Sequence, residues 1–374
     1  MRPMPTPGSA TAEGTAAYRG RFAAVLPLAH FRDFHGLSLS SIGLGTYLGE
    51  PDPETDRLYR EAVIRAAGLG CNVIDSAINY RFQRSERAVG EALRTLFAGG
   101  GVGRGELVVA TKGGYVAFDG GYPANPNAYF TETFVRPGVA RPEDLVAGCH
   151  CMTPAYLKHQ LRRSLENLGL TCVDIYYLHN PEQQLDEVPR AEFLRRMRAA
   201  MAGLEEEAAA GRLQVYGTAT WNGYRVPPGS GGHLSLQDLV GLAREVAGEG
   251  HHFRVIQLPL NLSMPEALTH ATQALDGEQV PALTAAARLG TYVMASASLL
   301  QARLTRGIPP FLGEILAGLE TDAQRALQFV RSAPGLGTAL VGMKHEAHVL
   351  ENLATARVPP APLEQFERLF TKRG

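Results

Sequence analysis

The sequence is short of several things, and each shortage excludes something. Four cysteines in 374 residues cannot supply a disulfide framework, which excludes the small stapled folds of secreted proteins. A net charge of −1 leaves no basic excess for nucleic acid or an anionic membrane surface. No apolar run reaches the roughly 18 residues of a membrane-spanning helix. The stretch from Arg2 to Gly20 has no apolar core of the kind a secretory signal needs, so a cytoplasmic location is expected. Cys149, His150 and Cys151 set three soft groups in a row but lack the second pair that a closed zinc site requires, so no metal is expected. The first strand-like run, "GLGTY", holds only Gly43 and Gly45, not the Gly-x-Gly-x-x-Gly turn of a doubly wound dinucleotide fold.

What is present is regular. The chain is 45% hydrophobic and 20% charged, ordinary for one large globular domain or two smaller ones. Eight short apolar runs recur: "SIGLGTY", "NVIDSA", "ELVVATK", "VDIYYLH", "LQVYGTAT", "FRVIQLPL", "TYVMASAS" and "GTALVGM". Each is followed by a segment with helical spacing of its apolar residues. Strict alternation over eight units predicts an α/β fold with a parallel sheet closed on itself, a (β/α)8 TIM barrel in one domain. The segment "HFRDFHGLSLSS" before the first run predicts an N-terminal hairpin across the bottom of the barrel. Residues 1–30 read as a flexible lead-in, and residues 31–374 as the barrel.

In such a barrel, chemistry sits where the strands end at their carboxyl side. Asp75 ends the second run, Lys112 the third and His179 the fourth; Tyr80 follows just beyond the second. A strand-end aspartate or a lone histidine is usually structural. Three ionisable groups on consecutive strands converge on one place. An ammonium beside a phenol favours phenolate, a carboxylate keeps the ammonium charged, and a neutral imidazole donates to a carbonyl oxygen. Such a site protonates an oxygen on which negative charge develops. Hydride reduction of a carbonyl needs that, together with a cofactor, because no side chain carries hydride.

The stretches "GCNVIDSAINY…SERAVGEAL", "ATK" and "DIYYLHNP" resemble the signature motifs of the aldo-keto reductases, and the resemblance runs from about Phe31 to Asn352. It implies a catalytic tetrad of Asp75, Tyr80, Lys112 and His179, and a barrel, monomeric or weakly associated, that binds NADPH (NADP+). Carried over residue by residue, it places Gly45, Thr46 and Tyr47 near the nicotinamide ribose, with Asp75 beside them, and Gln257 on the carboxamide. Lys344 falls at the 2′-phosphate, His348 over the adenosine, and Glu351 and Asn352 at adenine. Two departures mark an atypical member. Ala219 and Thr220 stand where a serine–asparagine pair usually holds the carboxamide, leaving Thr220 and Trp221 as the cofactor residues there. Ser296 stands where an aromatic ring often lies under the nicotinamide.

Between Lys112 and the next helix lies a long insert, 113–152, rich in aromatics. A connection beyond about 15 residues is functional or suspect. The expectation is an ordered lid over the strand ends, with Tyr115, Phe118, Tyr122, Tyr129 and Phe130 as substrate walls. The partner is then a bulky, partly apolar small molecule. Two other functions fit the same sequence: a redox-neutral NADP-using reaction such as epimerisation, and a non-catalytic regulatory barrel like the potassium-channel β-subunits.

Overall fold

The computed structural model describes residues 4–370. A hairpin of β1 (Phe31–Phe34) and β2 (Leu37–Ser40) comes first. Eight parallel strands follow: β3 (Ile42–Gly45), β4 (Val73–Asp75), β5 (Val108–Gly113), β6 (Val173–His179), β7 (Leu213–Ala219), β8 (Phe253–Pro259), β11 (Tyr292–Ser296) and β12 (Thr338–Gly342). They close in sequence order, with β8 against β11 and β12 against β3, as the expected barrel. The numbering gap is a small hairpin outside the barrel, β9 (Gln273–Leu275) with β10 (Glu278–Val280). It lies in the connection after β8.

A helix covers each strand. The set is α2 (Pro53–Ala67), α3 (Arg84–Ala98), α5 (Pro154–Leu168), α6 (Arg190–Ala209), α7 (Leu236–Ala247), α9 (Ala282–Arg288), α11 (Asp322–Ser332) and α12 (Glu346–Ala354). Short helices fill the remaining connections: α4 (Pro126–Phe130) in the insert, α8 (Glu266–Thr269), α10 (Pro310–Ile315) and α13 (Leu363–Glu367). Local chemistry sets several starts. Asp52 accepts from the backbone N–H of Thr55 at 2.7 Å, with Pro53 in the first turn of α2. Thr321 and Gln324 cap α11 reciprocally. Ser85 does not cap α3; it lies inside the helix and donates to the carbonyl of Thr46. Among the described residues, no helix is long and apolar enough to cross a membrane.

The chain before the barrel departs from expectation. Thr6 pairs with Leu170, its N–H on the carbonyl of Gly169 at 2.8 Å. The N–H of Ala10 donates to Asp174 at 2.6 Å. Then α1 (Ala12–Arg21) begins at a Thr11 cap. It buries Tyr18, whose hydroxyl donates to the carbonyl of Ala67 at 2.6 Å. Within the described residues, 4–30 are therefore a folded strap beneath the barrel, not a flexible lead-in; 1–3 lie outside them. The strap is small and polar in itself. Its order comes from partners 50 to 160 residues away, which composition does not display.

Candidate active site

Alternation along a strand decides which side chains reach the barrel interior. Val73, Val108, Ala110, Ile175, Tyr177, Val255 and Met294 fill it, above a floor of Phe34 and Leu39 from the hairpin. Two residues further along each strand, the same parity sets Asp75, Lys112, His179, Gln257 and Ser296 in the top layer. Gly45, Ala219 and Gly342 complete that layer. Pairing agrees: Gly45 lies opposite Asp75, His179 opposite Ala219, and Ala219 opposite Gln257.

Lys112 is fully buried and uses all three of its protons. Its Nζ donates to Asp75 Oδ1 at 2.5 Å, to the carbonyl of Ser76 at 2.8 Å and to the hydroxyl of Tyr80 at 3.1 Å. Gln257 donates to the other oxygen of Asp75 at 3.0 Å. Burial works against the charge on Lys112, but Asp75 and Tyr80 outweigh it and hold its pKa above the ordinary value. Burial also raises the pKa of Tyr80, while Lys112 pulls it the other way; the balance is upward. The expectation that Lys112 brings the phenol down is thus only partly met. Desolvation of a phenolate here exceeds the attraction of an ammonium already shared with Asp75.

His179 is held well below its ordinary pKa, first by burial and then by the charge of Lys112. It is therefore neutral. Its Nδ1 is buried without a partner. A buried N–H with no acceptor costs about 1–3 kcal/mol, so the proton belongs on Nε2. The ring packs edge-on between Tyr80 and Tyr115, with centroids 5.8 and 5.0 Å away. The structure therefore brings Asp75, Tyr80, Lys112 and His179 together: a buried ammonium, a protonated phenol in contact with it and a neutral imidazole. This set can protonate and polarise an oxygen.

A sequence profile of the Aldo/keto reductase family matches residues 41–226, from β3 to just past β7. The chain belongs to the aldo/keto reductase family. It is 28% identical over 188 residues to the NADH-specific methylglyoxal reductase of Escherichia coli (strain K12), covering 49% of each protein. It is 27% identical over 151 residues to prostaglandin F synthase 2 of Bos taurus, covering 40% of this chain and 34% of that one. The matched segment thus spans about a third to a half of these curated relatives. Solved structures share the fold along the whole barrel. An aldo-keto reductase from Bacillus halodurans in a holo form superposes with a TM-score of 0.61 at 18% identity, over 92% of this chain and 97% of that one. The aldo/keto reductase from Klebsiella pneumoniae in complex with NADP and acetate gives 0.58 at 20% identity, over 90% and 93%.

The cofactor positions of an aldo/keto reductase are only partly as expected. Gly45 ends β3 at the rim, and Tyr47 is exposed with its ring 5.0 Å from that of Tyr80. Thr46 is turned away: it is buried, and its hydroxyl bonds the carbonyl of Asp75 and the hydroxyl of Ser76. Strand parity already held the reason, since Gly45 points inward and its neighbour cannot. Gln257 gives one of the two N–H groups of its amide to Asp75. Thr220 follows the outward parity of Thr218. Its hydroxyl is buried and unpartnered, and its N–H bonds the carbonyl of Gln257 at 2.8 Å. Trp221 is 45% exposed beside it.

After β12, Lys344 makes no ion pair among the described residues. Its Nζ lies 3.1 Å from where a Cβ on Gly49 would sit, against the β3–α2 loop. Gly49, at φ +119°, leaves room that a side chain would take. Asn352 is buried with its Oδ1 unpartnered. Glu351 is half-buried, and its backbone carbonyl accepts from Gln324 at 3.0 Å. His348 is exposed, its ring packed on that of His345.

The insert is ordered but does not present all its aromatics to the site. Phe130 is buried with Phe134, Ala140, Cys151 and Tyr156 in a small core against α5, so it is no substrate wall. Phe118 packs edge-on against both Tyr122 and Tyr129, with Tyr122 71% exposed. The adjoining backbone is tied to Phe82 and Gln83, and Asp119 pairs with Arg87 and Arg163. This part of the insert therefore lies along the rim over α3 and α5. Tyr115 alone of the five touches the tetrad. Its hydroxyl accepts from Asn180 at 2.9 Å.

Residues that the sequence reading passed over also shape this rim. Glu182 is buried, its pKa raised by burial, and its Oε1 accepts from the N–H groups of Trp221 and Asn222 at 2.8 and 3.2 Å. His150 and Gln184 lie beneath His179. Their only sequence signal was proximity to the strand-end histidine, and for His150 a triplet that read as a metal motif.

Proposed function

We propose that this protein is an NADPH-dependent carbonyl reductase, reducing an aldehyde or ketone of a bulky, partly apolar small molecule or oxidising the corresponding alcohol. The observation that carries this reading is the chain Asp75–Lys112–Tyr80, 2.5 and 3.1 Å per link, beside a neutral His179. A non-catalytic barrel has no use for an ammonium fully buried in contact with a phenol. When bound, the nicotinamide cofactor supplies the hydride. The residues present suit it: the ammonium of Lys344 and the buried acceptor of Asn352 are polar groups without partners among the described residues.

The chain's own residues do the rest. His179 donates through Nε2 to the carbonyl oxygen and fixes its position. As negative charge builds on that oxygen, Tyr80 delivers its proton to it. Lys112 stabilises the phenolate left behind, and Asp75 keeps Lys112 charged and aimed. Burial holds the pKa of Tyr80 above its ordinary value, so the phenol carries the proton that reduction requires it to give. The exposed aromatic surfaces of Tyr47 and Trp221, with Tyr115 against His179, support an apolar substrate.

Tyr80→Phe tests this reading. It removes only the hydroxyl, and a general acid contributes typically about 10²–10⁴-fold in rate. Turnover of a reactive aromatic aldehyde should fall by that factor, while NADPH still binds by fluorescence. Turnover at the parent rate would refute it.

A further inference from the structure

The two ends of the insert are joined where it leaves and re-enters the barrel. The N–H of Val116 donates to the carbonyl of Cys149 at 2.7 Å, and that of Cys151 to the carbonyl of Gly114 at 2.8 Å. These bonds flank Tyr115 and His150, which oppose each other as an antiparallel pair without direct bonds of their own. That pair type brings side chains closest together, on one face. The rings of Tyr115 and His150 meet edge-on, centroids 5.4 Å apart. The face they share is turned toward His179. Gly114, at φ +131°, allows the approach: a Cβ there would sit 2.8 Å from His150 Nε2 and 3.3 Å from the carbonyl oxygen of His179.

His150 is fully buried and both its nitrogens are engaged. Nε2 lies 2.8 Å from the carbonyl oxygen of His179, so it must carry the proton. Nδ1 then accepts from Gln184 Nε2 at 2.9 Å. The orientation of the Gln184 amide is fixed in turn, because its oxygen accepts from Arg196 at 2.6 Å. The tautomer of His150 is thus set from outside, and its one N–H has one target. His179 needs such support. Its own Nδ1 has no partner among the described residues, so none of them holds the ring by a hydrogen bond at that nitrogen.

We propose that His150 is a positioning residue for the reaction: with Tyr115, it lets the insert fix the backbone and ring of His179, so the insert works on the catalytic histidine as well as on the substrate. The inference rests on the carbonyl-reductase reading above. An error of about 1 Å in such a group costs about 10²-fold in rate, and the loss should fall on kcat rather than on cofactor binding.

The test compares His150→Phe, which keeps a ring but has no donor, with His150→Gln, which restores an N–H. The readouts are aldehyde turnover with NADPH, NADPH affinity by fluorescence, and the ring carbon signals of ¹³C-histidine-labelled protein. His179 is assigned by the signal lost in His179→Gln. The expected result is a kcat about ten- to a hundredfold lower for His150→Phe, NADPH affinity within about twofold, a displaced His179 signal, and recovery of both kcat and signal in His150→Gln. Gln184→Met, which frees the His150 ring and gives up only the long 3.4 Å contact to the His150 carbonyl on the ribbon, should show the same pattern at smaller size even if His150→Phe does not fold. A His179 signal at the parent position in both His150→Phe and Gln184→Met would overturn the proposal. So would equal loss of kcat in the Phe and Gln variants. A parent protein that reduces no carbonyl would refute the functional reading alone, and the His179 signal would still decide this one.

Discussion

Replacing Lys112 by methionine separates what that residue does for the fold from what it does for the chemistry. The ammonium is fully buried and satisfies Asp75, the carbonyl of Ser76 and Tyr80 at once. Methionine fills much of the volume but leaves Asp75, itself buried, with Gln257 as its one remaining side-chain donor. Breaking a buried pair from one side costs about 3–5 kcal/mol, because a charge is left without compensation. Against a total stability of about 5–15 kcal/mol for an ordinary protein, that is a large loss. Replacing both partners removes the stranded charge, and such exchanges are often nearly neutral. Asp75→Asn/Lys112→Met should therefore regain most of the stability lost by Lys112→Met. Neither variant should reduce an aldehyde above about one part in 10² of the parent rate. Urea unfolding followed by circular dichroism measures the first effect, and loss of NADPH absorbance the second. A Lys112→Met protein within about 1 kcal/mol of the parent, or a double variant as unstable as the sum of its singles, would refute the account of a charge held by its partner.

Two further outcomes are expected. Lys344→Ala should weaken NADPH binding by about 1–3 kcal/mol, the range for a charge-assisted hydrogen bond, and leave NADH nearly unchanged; equal loss for both in fluorescence titrations would assign Lys344 another role. Stability should fall as the medium becomes acidic. His30 is held down to about 3, by burial and then by Arg331, and His150 to about 4, by burial. The unfolded chain takes up these protons near pH 6.5. Below that pH, and until each folded pKa is reached, the unfolded state binds more protons and gains. At pH 5 the cost is about 2 kcal/mol per histidine. The urea midpoint should therefore drop between pH 7 and pH 5, and less so in His30→Gln. An unchanged midpoint would refute this.

The barrel was legible because each of its eight strands is an apolar run followed by a helix with one apolar face, and both patterns are local. The tetrad was legible because Asp75, Lys112 and His179 each close such a run. What escaped depends on partners distant in the chain. Tyr18 orders the strap only through Ala67 and its neighbours. Phe130 looks like a substrate wall until Phe134 and Tyr156 enclose it. Gln257 looks free until Asp75 takes one N–H of its amide. Thr46 is a different case: period-two alternation from Leu44 placed it outside the barrel, and the motif match spoke over that geometry. His150 was hidden by its neighbours, since the two flanking cysteines raised only the question of a metal, which the missing second pair answered, and not that of a histidine placed under a second histidine.

The ribbon at Tyr115 and His150 also bears on how this barrel can be altered. Outgoing and returning chain are paired at the barrel edge, one strand spacing apart, about 4.8 Å. The chain from residue 117 to 148 leaves and returns through that closed gate, and between the two it rests on the outer faces of α5 and α3. A segment attached at two adjacent, fixed points can lengthen or shorten at little entropic cost, since loop closure grows only with the logarithm of length. The excursion is therefore an exchangeable cassette. Natural variation, or a designer, can replace it to recruit new substrates while the histidine at the base keeps its seat.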